Sequence, residues 1–132
     1  MDGPGIADGE AAALAQLLAG AEHAVALTGA GISTESGIPD FRSPTGTWAR
    51  FDPMKVATMS TFMSNPELYW SFHRPRIDML RSAEPNDAHR AVAELQRRGV
   101  VKALVTQNID RLHRRAGSPD PIEVHGSIDR GE

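Results

Sequence analysis

The sequence contains no cysteine in its 132 residues, which excludes disulfides and thiolate metal sites within it and leaves the redox compartment unread. It also lacks any apolar run approaching the ~20 residues of a membrane helix. Its start lacks the basic and apolar regions of a secretory signal, so a cytoplasmic location is expected. Charge of one sign is scarce too. A formal net charge of -3 gives no field for gripping nucleic acid or an anionic membrane, and direct contact with either is not expected. Lysine is confined to Lys55 and Lys102, a hint about coding composition rather than chemistry. There are no internal repeats and no low-complexity segment. What remains is 40% hydrophobic and 23% charged, the balance of a globular chain with one modest core.

Periodicity divides the chain. Residues 1–7 read as a flexible tail before a helix that Asp8 caps, with Leu14, Leu17, Leu18 and Ala21 at helical spacing as a packing face and Gly20 as its stop. Residues 24–28 form a short apolar run ending at Gly29, the pattern of a buried strand meeting a tight turn. Residues 43–62 mix Pro44, Gly46 and Pro53 with scattered apolar positions and read as loop with short helical turns at most. Asn65 and Pro66 open a helix through Trp70 and Phe72 that Pro75 should kink or end, with a second piece running to Leu80. A clearer helix spans 86–98, with Ala88, Ala91, Val92 and Leu95 on one face and Gly99 as terminator. A buried strand over 100–106, a helix over 109–116 ending at Gly117, and a short strand over 122–125 complete the pattern. This alternation implies an α/β fold, a parallel sheet with right-handed crossovers.

Three segments carry residues suited to chemistry. The first is Gly29-Ala30-Gly31-Ile32-Ser33, running on to Ile38-Pro39-Asp40-Phe41-Arg42. Glycines directly after a strand let backbone N–H groups approach a pyrophosphate. Thr34 stands where the common dinucleotide fingerprint wants a third glycine, so an ordinary Rossmann dehydrogenase is not indicated; a plain turn joining strand to loop is the alternative. The second is Thr106-Gln107-Asn108-Ile109-Asp110, at the C-terminal end of a strand, where open α/β sheets keep ligands. Its polar groups suit hydrogen bonding to a ribose and a carboxamide, or equally helix capping. The third is Glu123-Val124-His125-Gly126-Ser127, which places an imidazole able to accept a proton near neutral pH at the end of the last strand. His23, His73, His89 and His113 are given no catalytic role.

Taken together, GAGIS with SGIPDFR, TQNIDRLHRRAG and EVHGS, in this order and spacing from Ala24 to Ser127, resemble the sirtuins, NAD-dependent protein-lysine deacylases. The resemblance implies a Rossmann-like parallel sheet with helices on both faces. Residues 8–132 would form the N-terminal part of the NAD-binding catalytic domain, and 43–84 its cofactor loop and small helical insertion. By the same resemblance Gly29, Ala30, Gly31 and Ser33 face the NAD phosphates and adjoining ribose, Arg42 lies near the pyrophosphate, and Phe41 covers the nicotinamide ribose. Ile38, Asp40, Ile109 and Asp110 form the nicotinamide pocket, while Gln107 and Asn108 hold the ribose and an ordered water. His125 is the general base, and Asn108 is grouped with it as catalytic.

The implied reaction moves an acetyl group from lysine to ADP-ribose with release of nicotinamide, so an acetyl-lysine protein or peptide is the expected partner. His73 and Arg76 occupy the positions of a Tyr-x-x-Arg motif associated with acidic acyl chains, with the tyrosine replaced. They are candidate substrate contacts, and simple deacetylation is the better expectation. A truncated NAD- or ADP-ribose-binding module and a mono-ADP-ribosyltransferase are the alternatives. The family's zinc ribbon and second half of the sheet would follow His-Gly-Ser; this sequence ends at Glu132 and supplies no zinc ligand. A half-sheet would expose unpaired strand edge, so self-association is a further expectation.

Overall fold

A computed structural model of the chain describes residues 8–129. Three parallel strands, β1 (Ala24–Thr28), β2 (Val101–Thr106) and β3 (Ile122–Glu123), lie in the order β1-β2-β3. Helix α1 (Asp8–Gly20) precedes β1; α2 (Pro53–Val56), α3 (Met59–Ser64), α4 (Pro66–Ser82) and α5 (Asp87–Arg97) lie between β1 and β2; α6 (Leu112–Arg115) joins β2 to β3. The expected tail over 1–7 and the last three residues lie outside the described range.

Pairing runs Ala26↔Leu104, Leu27↔Val105 and Thr28↔Thr106, so the even-numbered residues of both strands share a face. On that face Leu104 is fully buried and Thr106 nearly so, and α5 and α6 cover it: Thr28 is hydrogen-bonded to His113 of α6. The other face carries Val25 and Leu27, 59% and 68% exposed. The expected packing helix forms as α1 but buries none of its residues; Leu14 and Leu17 stay exposed and only Leu18 is half-covered.

Elsewhere the boundaries shift for identifiable reasons. α4 passes through Pro75 without ending there, because burial of Phe72 before it and Leu80 after it holds one helix against the core despite the lost N–H. The buried stripe of α5 is rotated from the expected alanine face toward His89 and Ala93, since Asn86 and His89 form a capping box that draws the imidazole inward. The helix expected over 109–116 shrinks to Leu112–Arg115. Asp110 accepts from the Leu112 N–H at 3.0 Å and Arg111 takes a left-handed φ of 62°, which leaves Ile109 and Asp110 in an open segment. The last strand is likewise only Ile122–Glu123, after which the chain turns through Val124 and His125.

The main core cluster is Ile38, Leu80, Ala83 and Leu112, with Met79, Ile109 and Ile128 against it. It ties the segment after the glycine turn to the end of α4 and the start of α6. On the far side of α4, α2 and α3 bury Val56 and Thr61.

Candidate nucleotide cleft

Parallel strands end at the same edge, so the loops after β1, β2 and β3 emerge side by side. The Gln107 N–H donates to the Thr28 carbonyl at 3.0 Å and the Val124 N–H to that of Thr106 at 3.1 Å, which brings Gly29, Gln107 and His125 together. After Gly29 the chain winds into a 3₁₀ helix, Ala30–Ser36, which ends at Gly37 with φ 87°. That conformation favours glycine and turns the chain toward Ile38.

Beneath this edge lies a buried polar network. Ser33 is 1% exposed and donates to Asp110 Oδ2 at 2.6 Å. Asn108 Nδ2 donates to the Gly29 carbonyl at 2.9 Å and to Ser33 Oγ at 3.3 Å, pinning the second motif to the first. His89 Nδ1 accepts from the Asn86 N–H at 3.1 Å, so its proton sits on Nε2, which donates to Ser33 Oγ at 3.3 Å. His113 faces His89 with ring centroids 5.0 Å apart and reaches Thr28 Oγ1 through Nε2 at 2.8 Å, while its buried Nδ1 has no partner. Burial lowers the pKa of both imidazoles. For His113, burial with the neighbouring His89 outweighs the opposing carboxylates of Asp110 and Glu123, and its pKa falls to about 4.

Above the network the surface opens into two adjoining chambers. The inner one, about 240 Å³, is walled by Ser33, Ile38, Pro39, Arg76, Leu80, Ile109 and Asp110. The outer one, about 480 Å³, is walled by Gly31, Asp40, Arg42 and Trp48. Ala30, Phe41, Gln107, Asn108 and His125 line both. Every residue expected from the sequence to meet the cofactor lies on this cleft except Gly29, which is against the Gln107 side chain behind it. Asp40 faces the outer chamber rather than the inner, and its carboxylate accepts from Ser43 at 2.6 Å.

His125 is exposed, with Nδ1 3.1 Å from the Gln107 carbonyl. A carbonyl only accepts, so Nδ1 carries the proton and Nε2 keeps its lone pair. The two candidate substrate residues separate: Arg76 reaches the inner chamber, its guanidinium carbon 4.5 Å from the Phe41 ring centroid. His73 lines neither chamber. Its ring lies 4.1 Å from Tyr69 and its Nε2 is buried without a partner. Burial and then the charge of Arg76 lower its pKa.

His89, His113, Thr28 and Asn86 escaped the sequence reading. Only the Asn-x-x-His spacing at a helix start signals the first of them. No group of three or more acidic or histidine side chains among the described residues is placed to hold a metal ion, so the residues present do not fit a zinc site.

Comparison with known proteins accords with this geometry. The model of the Sir2 family matches residues 29–132. The NAD-dependent protein deacylase 2 of Archaeoglobus fulgidus is 55% identical over 116 residues, 88% of this chain and 46% of the relative. A Sir2 homologue crystallised with NAD superposes with a TM-score of 0.77 at 47% identity, covering 88% of this chain and 45% of that one. A Sir2 variant bound to a deacetylated p53 peptide and 3'-O-acetyl ADP-ribose gives a TM-score of 0.82 at 44% identity, covering 89% and 47%. The chain thus spans slightly under half the length of these relatives. With the family model matching residues 29–132 and a relative 55% identical over 116 residues, the chain belongs to the Sir2 family.

Proposed function

We propose that this cleft serves NAD-dependent removal of acyl groups, foremost acetyl, from protein lysines. The observation that carries the proposal is the convergence on one cleft of an imidazole with a free Nε2, the Asn108 amide and the Asp110 carboxylate. The residues fit the nicotinamide-ribose end of the dinucleotide. Ile38 and Ile109 give the inner chamber apolar walls, Asp110 offers an acceptor for a carboxamide N–H, and nothing lies within 4 Å of where a side chain on Gly31 would stand. When bound, NAD supplies a ribose carbon with nicotinamide as leaving group and a neighbouring hydroxyl that receives the acyl group.

The chain's own residues then have distinct tasks. His125 Nε2 accepts the proton of that hydroxyl, while its Nδ1–H bond to the Gln107 carbonyl fixes the ring and the tautomer. Asn108 spends its N–H groups on Gly29 and Ser33, which leaves Oδ1 to orient a ribose hydroxyl or a water. Phe41 and the apolar walls exclude bulk water. Segment 43–84 acts as cofactor loop and helical insertion. The relative that holds a deacetylated peptide supports an acetyl-lysine peptide or protein as partner. Arg76 would meet an acidic acyl end, but His73 stands away from the cleft, so acetyl remains the favoured group. A cytoplasmic location, and self-association through the open edge of β1, belong to the same proposal.

The test incubates the chain with NAD and an acetyl-lysine peptide, beside His125→Ala, with mass spectrometry of both products. The proposal expects deacetylated peptide and O-acetyl-ADP-ribose from the unaltered chain only. Equal product from His125→Ala would overturn the role of that residue. Label from NAD on protein would point to ADP-ribosyl transfer, and NAD binding without any product to a non-catalytic binding module.

A further inference from the structure

Thr28 and Thr106 are register partners, which sets their hydroxyls side by side at the C-terminal ends of β1 and β2. Thr28 Oγ1 donates to Thr106 Oγ1 at 2.9 Å, and Thr106 Oγ1 accepts the Asn108 N–H at 3.1 Å. On the other side, His113 Nε2 lies 2.8 Å from Thr28 Oγ1. The one proton of Thr28 is spent on Thr106, so Nε2 presents an N–H. A run of hydrogen bonds thus leads from His113, which lines neither chamber, to Asn108, which lines both.

The link to Asn108 is one that strand pairing does not supply. The ladder extends to Gln107, whose N–H meets the Thr28 carbonyl, but the Asn108 N–H is taken by a side-chain hydroxyl. A hydroxyl turns to suit its neighbours, so the direction from which Thr106 accepts depends on where Thr28 sends its proton. His113 decides that, because an N–H at the Thr28 oxygen turns the Thr28 proton away toward Thr106. The imidazole is itself held: it is 2% exposed and its ring centroid lies 5.0 Å from that of His89. Burial lowers its pKa to about 4, which keeps the ring neutral with a single N–H.

We infer, on the reading of Asn108 as a ribose contact, that His113 is a positioning residue for the nucleotide cleft, acting on Asn108 through the Thr28 and Thr106 hydroxyls. It touches neither substrate nor cofactor. Its part is to hold the backbone from which the Asn108 amide reaches the ribose.

Two measurements on the full chain test this: the Asn108 amide resonance by NMR without NAD, and NAD affinity by calorimetry. His113→Gln sets an amide nitrogen where Nε2 stands, whereas His113→Asn is too short to reach Thr28. His113→Asn is expected to move the Asn108 amide proton upfield, as a weakened hydrogen bond does, and to weaken NAD about fivefold, less than loss of the Asn108 side chain itself. His113→Gln should restore both. Thr28→Val removes the middle hydroxyl with His113 in place and should move the same resonance in the same direction, which serves where His113→Asn does not fold. In a Thr106→Val background, His113→Asn should weaken NAD no further, because the run is already cut. An Asn108 resonance unmoved in the folded variants, His113→Gln as impaired as His113→Asn, or costs of His113→Asn and Thr106→Val that add in full would each overturn the inference. A chain that binds no NAD overturns the nucleotide reading instead, and the resonance, read without NAD, judges the hydrogen-bonded run by itself.

Discussion

His113 sits 2% exposed with Nε2 donating to Thr28, whose own hydroxyl donates to Thr106, and with Nδ1 buried without a hydrogen-bond partner. Its pKa in the folded chain is about 4, below the ordinary 6.5, so the unfolded chain binds the proton more readily. Stability from this group is complete above the unfolded value and is lost as pH falls from 6.5 toward about 4. His89 is shifted in the same direction, with Asp110 opposing and Arg90 reinforcing the effect of burial. Thermal unfolding should therefore show a Tm that declines across this window. His113→Gln, which keeps a donor for Thr28 but cannot titrate, should flatten the decline. An unchanged slope in that variant would place the acid sensitivity elsewhere. Gly46 makes a second residue-scale case. A Cβ there would stand 2.8 Å from the Asp40 carbonyl oxygen and 3.0 Å from the Phe41 carbonyl carbon, inside a loop closed by Thr47 N–H to Asp40 and Trp48 N–H to Phe41. Gly46→Ala should cost about 1–3 kcal/mol and weaken NAD binding, because Phe41 moves with the loop. Unfolding and calorimetry check the two effects. The motif residues on the cleft were legible in the sequence because each lies in a short, locally distinctive segment. His89 and His113 were not, because a lone histidine on a helix gains meaning only when its rotation brings another element's hydroxyl against it.

At the scale of elements, Asn86 does two things. Its Oδ1 accepts from the Ala88 and His89 N–H groups to cap α5, and its Nδ2 donates to the Ile32 carbonyl at 2.8 Å and to Ser36 Oγ at 3.0 Å. One side chain thus starts a helix and anchors the turn after β1. A cap alone is worth about 1 kcal/mol; with two partly buried donors lost as well, Asn86→Ala should cost about 2–3 kcal/mol. Asn86→Asp keeps the cap without the donors and should fall between. Denaturant unfolding of both variants checks the order, and equal costs would mean the donors contribute nothing. The helix that Asn86 opens was legible, since its apolar periodicity and the Gly99 stop are local signals. So were the three strands and the ends of α5. The continuity of α4 through Pro75 was not, because a proline's local cost is visible in sequence whereas the burial of Phe72 and Leu80 that outweighs it belongs to tertiary packing. The retreat of α6 to four residues has the same origin: Asp110 is recruited to Ser33 and to the Leu112 N–H together.

For the whole molecule, the informative feature is an uneven sheet. One face is sealed by α5 and α6; the other leaves Val25 and Leu27 exposed, with Ile122, the partner of Val105, at 52%. β1 is paired on one side only among the described residues, and α1 buries nothing. Parallel sheets are ordinarily covered on both faces, so this apolar surface should drive association of the chain as concentration rises. Sedimentation velocity is expected to show larger species for the unaltered chain and fewer for Leu27→Lys. The parallel α/β class and the position of the cleft at the strand ends followed from the alternation of helix and strand. The exposure of α1 did not, because helical periodicity marks an apolar stripe without saying what covers it.

The central claim is that these residues build the nicotinamide-ribose part of an NAD site, and equilibrium binding addresses it most directly. Calorimetric titration with NAD should give saturable one-to-one binding. Asn108→Ala should weaken it about tenfold through loss of its ribose contact and its anchor on Gly29 and Ser33. His125→Ala should bind nearly as well, since the imidazole's task is proton transfer. No saturable binding by the folded chain, or an affinity indifferent to Asn108→Ala, would contradict the account.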